Sequence, residues 1–255
     1  MAKSSRFGMA FHQYLSFSDL LMKIPKAEAV FWPGCALLNL DGEILERTLT
    51  VLRRAEPNME LACGCCGQPT VYLFPQKAEK RKEKLVSLLK KQGVKRIYTA
   101  CPNCTLQLRQ LEGFEILPVW PVLAEHITEE DILRQEGQFI WHDPCPTRKE
   151  PDQQEAARKL LQISGCNCCQ PKCSGCKTRC CGNFRMMAAT DPETSAKMRK
   201  ARLAEFPEGK IIASSCEGCL GAFRGEGRQT RHLLEILFGA SSARGWGNRI
   251  KHTRK

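Results

Sequence analysis

The sequence lacks any apolar run approaching the 18 or so residues that a membrane-spanning helix requires, so no such span is expected. Its opening residues, MAKSSRFGMAFHQYLSF, do not follow the positive, then apolar, then small-residue order of a secretory signal. A reducing, cytoplasmic setting is therefore expected. Aromatic residues make up only 7% of the chain and histidines number five, with no zinc-finger spacing of paired cysteines and histidines. That counts against a zinc-dependent nucleic-acid binder, the class that a net charge of +12 and Cys-x-x-Cys pairs would otherwise suggest. Also missing is the Cys-x-x-Cys-x-x-Cys-x-x-x-Cys-Pro run of bacterial ferredoxins. If the chain moves electrons, a partner must supply them.

What is abundant is cysteine. The chain has 255 residues, 42% of them hydrophobic, which is enough to bury a core without covalent staples. It nevertheless carries 16 cysteines. In a reducing compartment, clustered thiols of this kind point to metal rather than to disulfides. Part of the basic excess, 39 Lys and Arg against 27 Asp and Glu, offsets the charge of metal-bound thiolates. The rest is solvated surface or steers an acidic partner.

The cysteines are arranged as a repeat. Cys65, Cys66, Cys101 and Cys104 recur as Cys180, Cys181, Cys216 and Cys219, each pair offset by 115 residues. Cys35 recurs as Cys145 at an offset of 110. The flanks agree: VFWPGC with FIWHDPC, CCGQP with CCGNF, IYTACPNC with IIASSCEGC.

Each copy reads as α/β. Ala29–Trp32 and Phe139–Trp141 are short buried strands that end just before the first cysteine. Glu43–Arg54 and Gln153–Ile163 have apolar residues at three- and four-residue spacing, which predicts amphipathic helices. Further helices are predicted at Lys77–Lys91 and Glu193–Glu205. Gly93 and Gly209 then serve as stops, and the strands Arg96–Ala100 and Lys210–Ser214 follow. The predicted fold class is α/β, with two pseudo-symmetric repeats, each a small, mainly parallel sheet flanked by helices. Sites in such sheets form beyond the carboxyl ends of strands, where the cysteines lie. The predicted organisation is an N-terminal helical extension at 1–28 (helix His12–Ile24), a first cysteine-rich repeat at 29–135 and a second at 136–240. The second repeat carries a cysteine-rich insertion at 166–176. A last helix, Arg231–Phe238, precedes a mobile basic tail at 241–255, a candidate docking segment for an acidic partner.

Cys-x-x-Cys turns serve both zinc and iron–sulfur sites. Adjacent cysteines discriminate further, because successive side chains of an extended strand point to opposite faces. Two neighbouring thiols share one site only if the backbone turns sharply, and Gly67 and Gly182 follow directly with access to positive φ. Five thiols per copy also exceed the four that close a zinc site or hold an ordinary cluster. A zinc site would leave one cysteine of each set outside.

Taken together, Pro-Gly-Cys, Cys-Cys-Gly and Cys-Pro-Asn-Cys, then His-Asp-Pro-Cys, Cys-Cys-Gly and Cys-Glu-Gly-Cys, resemble the cysteine-rich (CCG) domain family over roughly Ala29–Phe238. That family includes the B-type component of heterodisulfide reductase and the related components of anaerobic glycerol-3-phosphate dehydrogenase and lactate-utilisation systems. Cys-Cys-Gly-Gln-Pro at 65–69 is most similar to the last of these. The resemblance implies two noncubane [4Fe-4S] clusters. One would be held by Cys35, Cys65, Cys66, Cys101 and Cys104, the other by Cys145, Cys180, Cys181, Cys216 and Cys219. It further implies an anaerobic iron–sulfur oxidoreductase that reduces a small-molecule disulfide or related anionic substrate with electrons from a ferredoxin-like or flavoprotein subunit. The alternative within the family is a non-catalytic electron-transfer subunit of a dehydrogenase complex.

The second copy departs from the pattern by adding Cys166, Cys168, Cys169, Cys173 and Cys176, a candidate site for an additional zinc ion or Fe-S cluster. Lys172, Lys177 and Arg179 lie in or beside this loop, where they offset thiolate charge or meet an anionic substrate. Cys63 is a further spare thiol. His142, beside Asp143, is a candidate proton donor, with hydrogen bonding at a strand end as its alternative role. Trp32 and Trp141, at matching positions, are read as core.

Overall fold

The computed structural model describes residues 2–242 and 244–254; Met1, Ala243 and Lys255 lie outside it. The chain divides into two compact units, Met1–Val119 with Ala243–Lys255, and Trp120–Ser242.

The first unit runs α1 (Ala2–Ser16), β1 (Ala29–Trp32), α2 (Gly42–Leu52), β2 (Glu60–Leu61), α3 (Gln68–Leu73), α4 (Ala78–Lys91), β3 (Arg96–Thr99), α5 (Pro102–Leu108) and β4 (Glu115–Pro118). Its sheet is parallel throughout in the order β2-β1-β3-β4, with Val30 opposite Glu60 and Ile97. Val30, Phe31 and Trp32 are all fully buried. Helices cover both faces of such a sheet, so its strands are continuously apolar rather than alternating. Asp41 caps α2 through the amide of Glu43, and Ile44, Leu45, Leu49 and Leu52 form the buried stripe of that helix. In α4 only Leu85 and Leu89 are buried. Lys90 and Lys91 in its last turn face the negative end of the helix dipole.

The second unit repeats the plan: α6 (Val119–His126), β5 (Gln138–Trp141), α7 (Pro151–Ile163), β6 (Asn167–Cys169), α8 (Met187–Thr190), α9 (Pro192–Leu203), β7 (Ile211–Ser214), α10 (Glu217–Arg224), β8 (Thr230–His232) and α11 (Leu233–Phe238). The sheet order is β6-β5-β7-β8, again all parallel. All six residues of α11 are buried. The chain is thus the α/β pair of parallel-sheet repeats that the pattern predicted, and both matching tryptophans are fully buried.

Four stretches differ from expectation. The N-terminal helix lies earlier than His12–Ile24, ending at Ser16. The Ser16 hydroxyl donates to the carbonyl of His12 and that of Ser18 to Leu15, and beyond them Lys23 forms an antiparallel bridge with Cys63. Leu21, Met22 and Ile24 are buried from this turn and extended segment, which explains their helix-like spacing. Residues 231–238 begin as strand β8 and become helix only at Leu233, because Ile212 pairs with Thr230 and Ser214 with His232. Residues 166–176 contain β6, paired with β5 through Phe139↔Cys168 and Ile140↔Cys169. Part of the cysteine-rich stretch is therefore sheet, the counterpart of β2. Finally, the segment read as a mobile basic tail forms α12 (Trp246–Arg254), which belongs to the first unit. Gly245 N–H and Asn248 Nδ2 both donate to the carbonyl of Asn39, and Arg249 and His252 are buried.

Beside the first sheet, Glu56 accepts from Arg96 Nε at 2.7 Å, Arg96 Nη2 at 3.0 Å and Tyr98 Oη at 2.9 Å. The Arg96 hydrogen bond holds the Glu56 carboxyl below its ordinary range. A depressed carboxyl contributes stability above its unfolded pKa and loses it as pH falls. Glu56→Gln is expected to lower unfolding stability by about 1–2 kcal/mol at pH 7. The deficit should shrink as the wild type is titrated below its unfolded carboxyl pKa, measured by urea melts across pH 7 to 3.

Candidate metal centre

The parallel register brings the carboxyl ends of neighbouring strands to one edge. Cys35 follows β1, Cys63 to Cys66 follow β2, and Cys101 follows β3; Cys145 and Cys216 follow β5 and β7. Cys101 and Cys216 are the N-caps of α5 and α10, so Cys104 and Cys219 sit in the first turns of those helices. The positive end of a helix dipole favours thiolate there. Gly67 and Gly182 adopt φ of +83° and +85°, the turn that adjacent cysteines require. At Gly182 a Cβ would lie 2.3 Å from the Ser195 carbonyl oxygen, so no larger residue fits. Before Cys35 the backbone of Gly34 passes so close to the site that a Cβ would sit 3.0 Å from Cys104 Sγ and 3.2 Å from Cys101 Cβ.

In the first unit the five sulfurs form a string. Cys35 is hydrogen-bonded to Cys65, Cys65 to Cys66, Cys66 to Cys104 and Cys104 to Cys101. In the second unit the string has the same order: Cys145, Cys180, Cys181, Cys219 and Cys216. Here Cys145 Sγ donates to Cys180 Sγ at 3.7 Å. All but Cys35, Cys101 and Cys145 are buried. The first thiol of each Cys-Cys pair behaves alike, and in the first unit the Cys104 hydrogen bond also holds the Cys101 thiol below its ordinary value. The Cys35 hydrogen bond, then that of Cys66, holds the Cys65 thiol well below its ordinary value, and Cys145 and Cys181 do the same for Cys180. Their donors are pushed up: Cys35 by its bond to Cys65, Cys145 by its bond to Cys180, and Cys181 likewise.

Buried thiols this close cannot all ionise, because each new charge loses hydration and repels its neighbours. A multivalent cation removes that limit and takes the thiolate form. Ligands of one tetrahedral ion with bonds of about 2.3 Å would all lie within roughly 4 Å of one another. Among the described residues, three ligand atoms come within 4.8 Å of each other only at His142, Cys181 and Cys219. Two strings of five sulfurs fit an Fe-S cluster or another metal centre.

The surroundings of the two strings differ. Around Cys65, hydrogen bonds run inward: Arg81 Nη1 donates to Thr70 Oγ1, Thr70 Oγ1 to Gln13 Oε1 at 2.6 Å, and Gln13 Nε2 to Cys65 Sγ at 3.3 Å. His12 lies beyond Gln13, and burial keeps its pKa low. A cavity of about 230 Å³ opens onto this site, lined by Phe17, Cys66, Thr70, Arg81, Lys82 and Gln107 among others. Around Cys180, peptide groups replace these side chains, with the Gly182 N–H donating at 3.3 Å.

His142 is fully buried, between the rings of Phe206 and Phe223. Burial, then the Arg202 charge, drives its pKa down to about 3. Its Nδ1 accepts from Arg202 Nε at 3.1 Å, so the neutral ring carries its proton on Nε2. Nε2 has no protein acceptor. The ring is thus suited to holding a thiolate with an N–H bond, not to delivering a proton. Asp143 fixes the adjoining loops: it accepts from Arg158 Nη2 at 2.7 Å, from the Gly175 amide at 2.6 Å and from Trp141 Nε1 at 2.8 Å.

The extra cysteines behave differently. Cys166 and Cys168 are hydrogen-bonded, while Cys169 receives Lys210 Nζ at 3.2 Å and donates to the Phe139 carbonyl. The Cys173 amide donates to Glu205 and Cys176 is exposed. Among the described residues no three of these five converge within 4.8 Å. Arg179 pairs with Glu205 at 3.2 Å. The spare thiol Cys63 is buried, and burial raises its pKa to about 11. Sequence patterns did not single out His12, Gln13, Thr70, Arg81, Arg202 or Arg249. Polar residues in an otherwise apolar helical stripe, such as Gln13 in α1, are the one signal that would have marked them.

The site defines a class: paired α/β units that each gather five cysteines beyond a parallel sheet. The chain belongs to the cysteine-rich (CCG) domain family, whose model matches residues 29–109 and again 139–224. No curated protein matches it. Among solved structures, it resembles an aspartate racemase from Picrophilus torridus at 9% identity and a TM-score of 0.35, covering 89% of this chain and 100% of that one. It also resembles an aspartate racemase homologue from Pyrococcus horikoshii OT3 at 13% identity and a TM-score of 0.30, covering 90% and 100%. Glutamate racemase from Aquifex pyrophilus follows at 15% identity and a TM-score of 0.33, covering 82% and 80%. Likeness this low carries nothing about activity.

The Cys168 hydrogen bond pulls the Cys166 thiol down to about 7, while the bond to Cys166 pushes Cys168 far up. In reduced, metal-free protein at pH 7, iodoacetamide is expected to alkylate Cys166 more than about tenfold faster than Cys168, read by peptide mass spectrometry.

Proposed function

We propose that the chain is an iron–sulfur oxidoreductase subunit of the heterodisulfide reductase B type. Cys35, Cys65, Cys66, Cys101 and Cys104 would hold one noncubane [4Fe-4S] cluster; Cys145, Cys180, Cys181, Cys216 and Cys219 would hold the other. The observation that carries this reading is the pair of five-sulfur strings in one order, each beyond the carboxyl ends of a parallel sheet's strands. On this reading the repeats at 29–135 and 136–240 are the two cluster-binding modules of a cytoplasmic protein.

When bound, such clusters supply single electrons and iron sites that take up thiolates. The reaction is R–S–S–R plus two electrons giving two R–S⁻, with both electrons delivered by a ferredoxin-like or flavoprotein partner. The chain's own groups supply the rest. The cavity beside Cys66 admits a small molecule to the first site, and Arg81 and Lys82 on its wall favour an anionic one. Gln13 N–H and His142 Nε2–H offer hydrogen bonds to sulfur. This open cavity favours the reductase over a purely electron-relaying subunit, which needs no substrate space. Among the described residues no helix is long and apolar enough to cross a membrane.

Protein purified or reconstituted without oxygen is expected to be brown and to contain iron and sulfide for two four-iron clusters. Cys181→Ala should lose about half of that iron and the spectrum of one cluster. Wild-type protein containing zinc and no iron, or Cys181→Ala with the full wild-type iron content, would refute the assignment.

A further inference from the structure

Arg249, on α12, is fully buried. Its guanidinium lies over the Trp246 ring at 4.9 Å, and its Nη1 is 3.4 Å from His12 Nε2. Its Nε and Nη2 meet no acceptor, and among the described residues no carboxylate pairs with it. The His12 contact does not satisfy it either. The Gln13 amide oxygen accepts from Thr70, so its Nε2 is the donor toward His12 Nδ1, 3.0 Å away. Neutral His12 then carries its proton on Nε2, facing the guanidinium donor to donor. A buried permanent cation with unsatisfied N–H groups is strongly unfavourable unless an anion accompanies it. Among the described side chains the other buried arginine, Arg202, has such an anion: its Nη1 donates to Glu205 at 2.8 Å.

Arg249 reaches the first cysteine set through the His12 contact: Gln13, beside His12 in α1, donates Nε2–H to Cys65 Sγ at 3.3 Å, so the guanidinium packs directly behind the residues that touch the sulfurs. We propose that Arg249 is the fixed counter-charge of the anionic, thiolate-held centre at Cys35, Cys65, Cys66, Cys101 and Cys104, carried to it by the C-terminal helix. The assignment rests on the cluster-binding reading above. It makes α12 part of the first site, stable against the first unit when that site is charged and strained when the site is empty. It also makes the two centres inequivalent, because the buried arginine of the second unit already has its carboxylate in Glu205.

The test compares wild type, Arg249→Met and Arg249→Lys, each as the full chain, metal-free and anaerobically reconstituted with iron and sulfide, by thermal melting and iron analysis. Arg249→Met should raise the Tm of the metal-free protein by about 2–4 °C, because it removes an uncompensated buried charge. It should lower the Tm of the reconstituted protein and lose iron from one centre. Arg249→Lys, which keeps the charge, should reverse most of the loss in the reconstituted form. Shifts of the same sign in both forms, an unfolded metal-free Arg249→Met, or no change in either form would overturn the counter-charge role and leave the cluster reading standing. Wild-type protein that takes up no iron would overturn both.

Discussion

Five sulfur atoms cannot be packed together in a protein interior and all ionised unless a cation stands among them. That constraint organises both halves of this molecule. Without a metal the thiols reach a compromise in which hydrogen bonds from neighbouring thiols lower the pKa of one sulfur of the Cys-Cys pair, Cys65 or Cys180, and in the first unit that of Cys101 as well. The same compromise at corresponding positions of two different sequences follows from their common geometry. Parallel strands end at one edge, a left-handed glycine turns the Cys-Cys pair inward, and a helix N-terminus holds the Cys-x-x-Cys pair.

The two centres share this skeleton but not their surroundings. The first is met by a side chain from far along the chain, Gln13 of α1, behind which pack His12 and, from α12, Arg249. The second is ringed mainly by local peptide groups and by an imidazole whose tautomer Arg202 decides. Hydrogen bonds and nearby charge are the levers by which proteins set cluster potentials. On the proposed cluster reading, two centres so differently furnished would hold electrons of different energy. The open cavity, moreover, adjoins the first.

Other polar groups hold the framework in place. Asp143 links Trp141, Arg158 and Gly175, locking the loop that carries Cys145 against the loop that precedes Cys180. Glu56 ties Arg96 to Tyr98 on β3. Asp143, within the His-Asp-Pro-Cys motif, thus holds loops that the sulfurs need, while Glu56 anchors the amino-terminal start of β3.

Much of this was legible in the residues alone. The 115-residue offset between cysteine sets, the apolar runs Ala29–Trp32 and Phe139–Trp141, and the three- and four-residue periodicity after them determined the repeat, the strand–helix alternation and the grouping of ten cysteines. These features are local or periodic, so a linear reading reaches them. Other features depend on pairing between distant segments. Thr230–His232 is a strand only because β7 lies beside it, and residues 167–169 are sheet only because β5 accepts them. The basic C-terminal segment is a helix with a buried arginine only because the first unit offers it a place. Tertiary structure alone decided which nitrogen of His142 bears the proton and which residues surround each string of sulfurs. Hydrogen-bond partners far apart in the chain are set by packing, and packing has no period to read.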